Sequence, residues 1–280
     1  MKIKILSDST CDLSTELLEK YDITIMPLTV IKGGEALRDG VTITPDDIFR
    51  HVDAGGDFCS TTAVNVSEYV EFFASYARDY DAVVHINIGS HFSSCHQNAK
   101  LAAEEFDNVL VIDSQNLSTG QGLVVLKACA LAKQCNALDE IKTELEAFVP
   151  RVEASFLLDQ LGYMVKGGRC SSVVALGANL LGLKPCIEVK DGKMAVVKKY
   201  RGNYAKCLAG YIKDRLSNRD DLDRDTLFVT RTPITADALS AVETAVAECA
   251  DFNDIYWTHA GCTVSCHCGP GTLGVLFVRK

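Results

Sequence analysis

The chain has 280 residues, enough for one large domain or two ordinary ones with a sizeable core. Hydrophobic residues make up 48% and charged residues 23%, the balance of a soluble globular protein. The net charge of -9 argues against non-specific nucleic-acid binding, which draws on Lys and Arg at phosphates, and against adhesion to anionic membranes.

The first half alternates strands and helices. "KIKIL" reads as a strand and "STELLEKY" as a helix opening at Ser14. "TIMPLTVI" reads as one extended stretch. "TPDDIFRHV" starts a helix, with Thr44 as its cap and Pro45 at its first position. In "NVSEYVEFFASYARDY", Asn65 and Glu68 have capping-box spacing. "DAVVHINI" and "NVLVID" are apolar strands around the helical "SCHQNAKLAAEEF", and "STGQGLVVLKACALAKQC" is a long buried helix. Continuous apolar strands separated by helices imply an open parallel sheet with helices on both faces.

The second half mixes hairpins with crossovers. "LDQLGYMVKGGR" reads as a helix ending at a glycine cap. "KPCIEVKDGKMAVVKKY" is a hairpin turning at Asp191-Gly192. A helix over "NYAKCLAGYIKDRL", a strand over "DTLFVTR", a helix over "TADALSAVETAVAECA" and strands over "DIYWTH" and "LGVLFV" follow. This pattern implies an α+β domain with a mixed sheet. The expected division is an N-terminal α/β domain over 1–150 and a C-terminal α+β domain over 151–280, parting near Pro150.

No apolar stretch approaches the ~20 residues of a membrane helix. "MKIKILSDST" holds no secretory core, so the expected location is the cytoplasm. In a reducing compartment most of the twelve cysteines read as small buried hydrophobes.

Two motifs near the C-terminus suggest cofactors. Gly269, Gly271 and Gly274 match G-x-G-x-x-G, but only six residues follow Gly274. A dinucleotide site needs a helix, a second strand and an acid ~20 residues on, so the match fails on context. Cys262, Cys266, His267 and Cys268 have the ligand count of a zinc site. Read as an extended segment, Cys266 and Cys268 face one way and His267 the other, so no metal is assigned. No G-x-S-x-G elbow or Walker A loop is present.

Three hydroxyl-rich stretches follow strands: "SDSTCD" (Ser7 to Asp12), "GSHFSSC" (Gly89 to Cys95) and "DSQNLSTG" (Asp113 to Gly120). Ligands of open parallel sheets sit beyond the carboxyl ends of strands, where helix N-termini favour anions. With the Thr61-Thr62 pair, these loops suggest a small anionic ligand, although each alone is explained by helix capping.

"SDSTCDL", "DSQNLSTGQG", "KGGR" and "HCGPGTLGV", in that order, resemble the DegV family across nearly the whole chain. The resemblance implies two domains with a ligand cleft between them, holding one long-chain fatty acid. The acyl chain would lie in an apolar tunnel with its carboxylate at the mouth, and no cofactor is implied. It further implies a non-catalytic subunit of a bacterial fatty acid kinase, which presents the carboxylate to a separate ATP-dependent kinase subunit. Carried over by position, Thr61 and Thr62, Ser93, Arg169 and His267 would surround the carboxylate. Three departures stand out: Val64 replaces a family proline, Ser94-Cys95 replaces Gly-Thr, and Thr62 replaces a serine.

"SSVVALGANLLGL" carries no charge over thirteen residues. Val174, Leu176, Ala178 and Leu180 would form a tunnel wall, although the same pattern suits an ordinary buried helix. The competing reading is a lipid or phosphoester hydrolase using Ser93 or Asp8 with His267.

Overall fold

A computed structural model describes residues 1–174 and 182–280. In chain order the first half contains β1 (Ile3–Asp8), α1 (Thr15–Lys20), β2 (Ile23–Met26), β3 (Thr29–Lys32) and β4 (Glu35–Arg38). It continues through α2 (Pro45–Asp53), β5 (Ser60–Thr62), α3 (Val66–Ala77), β6 (Ala82–Asn87), α4 (Cys95–Ala103), β7 (Val109–Asp113), α5 (Ser118–Leu131) and α6 (Leu138–Phe148). The second half contains β8 (Val152–Leu157), α7 (Gly162–Gly167), α8 (Ser171–Val174), β9 (Leu183–Lys190), β10 (Lys193–Arg201) and α9 (Tyr204–Leu216). It ends with β11 (Leu222–Arg231), α10 (Ala236–Cys249), β12 (Asp254–His259), α11 (Cys262–Cys268) and β13 (Leu273–Arg279).

The fold is α/β. An open sheet of order β2-β1-β6-β7 is parallel throughout. Every residue of β6 is buried, as a strand covered on both faces must be. A mixed sheet of order β10-β9-β8-β13-β11-β12 is antiparallel except between β11 and β12. A small antiparallel sheet, β4-β3-β5, stands apart from both.

Local signals account for many boundaries. Thr44 and Asn65 each form a complete capping box, with Asp47 and Glu68. Gly168 closes α7 at φ 67, where a side chain would be strained. Asp191 and Gly192 both have positive φ, as a two-residue hairpin turn of the primed kind requires.

Two readings are corrected. "TIMPLTVI" is two strands in two sheets, because Pro27 has no N–H for a ladder. Cys262–Cys268 is a helix, not an extended segment. The candidate wall residues Leu176, Ala178 and Leu180 lie outside the described residues, and Val174 is described only as the end of α8.

Helix α5 lies between the two large sheets. It touches β1 and β6 on one side and β8, β11 and β13 on the other. Eleven of its fourteen residues are buried, so it is covered around most of its girth. Gly122 is required there: a Cβ would stand 2.8 Å from Leu13 Cδ2 and 2.9 Å from the Cys11 carbonyl oxygen. In the reverse exchange, α11 leaves the mixed sheet to pack on α2, β3 and β5.

Candidate functional site: the α11 cavity

Helix α11 has no side-chain cap of its own. Two buried carboxylates from the first half serve instead. The Gly261 N–H donates to Asp12 Oδ1 (2.9 Å), and the Cys262 and Thr263 N–H groups donate to Asp39 Oδ1 (2.8 Å) and Oδ2 (3.1 Å). Ser118 Oγ donates to Asp12 and Ser9 Oγ to Asp39. Carboxyl oxygens at a helix N-terminus satisfy its free N–H groups. Burial is the main reason the Asp12 carboxyl is pushed up to about 8, with Asp39 adding to the rise.

Once helical, this segment has three working faces. Cys262 and Cys266, four residues apart, join an apolar cluster with Val30, Ile48, Phe49 and Tyr163. Val264 and Cys268 join another with Leu158, Met164 and Cys170. Thr263 and His267 line a cavity of about 140 Å³. The zinc reading fails on this geometry, since the helix points the would-be ligands in different directions. Among the described residues, no group of three or more His, Cys, Asp and Glu side chains is placed to hold a metal.

Thr61, Thr62, Ser93, Arg169 and His267 all line that cavity. Thr61 Oγ1 and His267 Nε2 are 3.0 Å apart and share a hydrogen bond, although 206 positions separate them in the chain. The imidazole fits because position 167 is glycine; a Cβ there would overlap His267 Nδ1. Arg169, an exposed residue, donates from Nη1 to the Gly167 carbonyl at 2.6 Å. Burial, and secondarily the Arg169 charge, lower His267 to about 4, so the ring is neutral at pH 7. Ser93 Oγ accepts from the Cys95 N–H at 3.2 Å. Thr62 is exposed at the end of β5. The remaining lining is mainly apolar, including Leu28, Ile88, Phe92, Leu117, Met164 and Val264.

The strand-end loops do not contribute equally. In "SDSTCD", Asp8 is fully buried and accepts from Tyr69 Oη, Asn87 Nδ2 and the Ile88 N–H. His85 Nε2 lies 3.2 Å from the same carboxylate. In "DSQNLSTG", Ser118 bonds Asp12 and Thr119 bonds Thr230. These two loops are internal bracing. Only the loop after β6 reaches the cavity with its hydroxyls, at Ser93 and Ser94. The pairing of Ser93 or Asp8 with His267 that a hydrolase would use is not formed: Asp8 is tied to Tyr69 and Asn87, and Ser93 to Cys95, while His267 pairs with Thr61.

A family model described as "Uncharacterised protein, DegV family" matches residues 2–280. The chain belongs to the DegV family. A DegV domain-containing protein of Clostridium acetobutylicum is 34% identical, with 100% of this chain and 99% of that protein covered. Among solved structures, a fatty-acid-binding DegV family protein from Thermus thermophilus superposes with a TM-score of 0.89 at 26% identity over 100% of both chains. A stearic-acid-binding protein from Eubacterium ventriosum gives a TM-score of 0.82 at 29% identity over 99% of this chain and 98% of that one.

Sequence reasoning on this DegV chain missed Asp12 and Asp39 as anchors of α11, and Thr263 as a cavity residue. Asp12 carries one legible signal, since it stands in a loop that follows a strand. Asp39 and Thr263 carry none, because their roles depend on the chain returning to β1 and β4 from more than two hundred residues away. No described helix is long and apolar enough to cross a membrane.

Proposed function

We propose that this DegV protein binds one long-chain fatty acid and presents its carboxylate to a separate ATP-dependent fatty acid kinase subunit. The observation that carries this reading is that one cavity is lined by the polar side chains of Thr61, Thr62, Ser93, Arg169 and His267 together with a mainly apolar remainder. A carboxylate taken out of water needs hydrogen-bond donors, and three hydroxyls, a neutral imidazole and a guanidinium supply them. The acyl chain adds about 0.8 kcal/mol per buried CH₂, which favours a long chain. The fatty-acid-binding structures of the same fold support this reading.

In this reading the chain contributes binding and orientation, and the kinase subunit contributes ATP and phosphoryl transfer. It operates in the bacterial cytoplasm as two domains meeting near Pro150, with the cavity between them.

Native mass spectrometry of the purified protein tests the binding. The expected spectrum carries one added long-chain fatty acid mass; a lipid-free protein that also fails to take up added hexadecanoate sinks the reading. With the kinase subunit present, Thr62→Val combined with His267→Ala should lower acyl-phosphate formation at least tenfold. Unchanged turnover would remove both residues from the site.

A further inference from the structure

The cavity face of α11 carries two polar atoms without a hydrogen-bond partner among the described residues: His267 Nδ1 and Thr263 Oγ1. His267 still uses its other nitrogen, on Thr61. Thr263 uses its hydroxyl for nothing, although the residue is only 4% exposed. Its backbone N–H is bound to Asp39, so the residue is held in place without the hydroxyl.

Neighbouring hydroxyls behave differently. Ser265 donates to the Ala260 carbonyl, Thr272 to the Cys268 carbonyl and Thr232 to the Gly269 carbonyl. Thr230 sits between Thr119 and Thr258. Thr263, the second residue of α11, has no helical turn before it to receive its hydroxyl. Thr263 instead lines the cavity, and a buried hydroxyl left unpaired is costly unless the cavity's occupant meets it.

Thr263 stands four residues before His267, about 6 Å along the axis at 1.5 Å per residue. That distance spans roughly four to five bonds of an acyl chain whose C–C bonds are about 1.5 Å long. A carboxylate held at Thr61, Thr62, Ser93 and His267 would therefore place the first few carbons of its acyl chain beside Thr263.

We propose that Thr263 is a specificity residue that hydrogen-bonds an oxygen carried on the acyl chain close to its carboxyl end, so that the cavity favours hydroxylated fatty acids over plain saturated ones. This inference rests on the fatty-acid reading of the same cavity. Thr263 hydroxyl and ligand hydroxyl can each donate or accept, so the pair forms with either polarity.

Calorimetric titration of delipidated protein with hexadecanoate and its 3-hydroxy, 5-hydroxy and 16-hydroxy derivatives tests it. The 3-hydroxy or the 5-hydroxy acid should bind at least fivefold tighter than hexadecanoate, and the 16-hydroxy acid should gain nothing. Thr263→Val, which keeps the side-chain shape, should bring the affinity ratio of hydroxylated to plain acid down to about one, while Thr263→Ser should retain the gain. Equal affinity for hexadecanoate and both near-carboxyl derivatives overturns the inference, as does a gain that survives in T263V. If none of the four acids binds, the fatty-acid reading itself fails.

Discussion

Helices α5 and α11 are the two points at which the halves of this DegV protein exchange structure, and they are built in opposite ways. Helix α5 belongs to the first half and supports strands of the second; α11 belongs to the second half and packs on α2, β3 and β5 of the first. Helix α5 has fourteen residues, eleven of them buried, and is stabilised by packing on every side together with the hydrogen bonds of Ser118, Thr119 and Gln121 in its first turns. Helix α11 has seven residues, too few to be stable alone, and depends on Asp12 and Asp39. A packed helix gives a rigid floor. A clasped helix depends on groups distant in the chain, and it is the clasped one that carries His267.

The largest way to break this comparison is Asp39→Ala. It leaves the Cys262 and Thr263 N–H groups buried without acceptors, a loss of about 3 kcal/mol at 1–3 kcal/mol for each such group. Urea unfolding should show that loss, and hexadecanoate binding should disappear with the displacement of His267. Next is Gly122→Ala, which overpacks α5 against Leu13 and the Cys11 carbonyl. It should cost about 2 kcal/mol of stability while leaving the relative affinities for different fatty acids unchanged. Equal damage to ligand selectivity would mean that α5 is not a passive floor.

Gly167→Ala sharpens the comparison from the other side. Its Cβ would displace the His267 ring and break the bond to Thr61. Stability should fall by about 1 kcal/mol, near the typical cost of a hydrogen bond, whereas fatty-acid affinity should fall at least tenfold. The smallest effect is on pH dependence. His267, lowered from 6.5 to about 4, resists a proton that the unfolded chain accepts. Its contribution to stability is therefore full above about pH 6.5 and is lost as the pH falls towards about 4. Asp12, raised to about 8, acts in the opposite sense, because its stability contribution is lost as the pH rises towards that value. Melting curves of wild type and His267→Gln over this range should differ only on the acid side.

How much was legible follows the same division. The strand of every buried β6 residue, the capping boxes at Thr44 and Asn65, the Gly168 cap and the Asp191-Gly192 turn could be read because each lies within a few residues of its own cause. The Thr61-Thr62 pair and the loop holding Ser93 were legible from their hydroxyls, Arg169 and His267 as their companions only through family resemblance, and all five line one cavity. The loops at Asp8 and Ser118 carried the same hydroxyl-rich signal as the loop at Ser93 but point inward, since a side chain's partner is not encoded next to it.

By itself the sequence determined the parallel sheet, the buried central helix and the hairpin, because apolar periodicity, prolines, glycines and capping residues act over short distances. Tertiary structure alone decided that "CTVSCHC" is a helix and that His267 meets Thr61. Both depend on groups far away in the chain: the carboxyl groups of Asp12 and Asp39 start the helix, and the glycine at 167 leaves room for its histidine. Seven residues cannot offset the cost of nucleating a helix alone, so the energy that shapes this segment comes from contacts that exist only after the chain has folded.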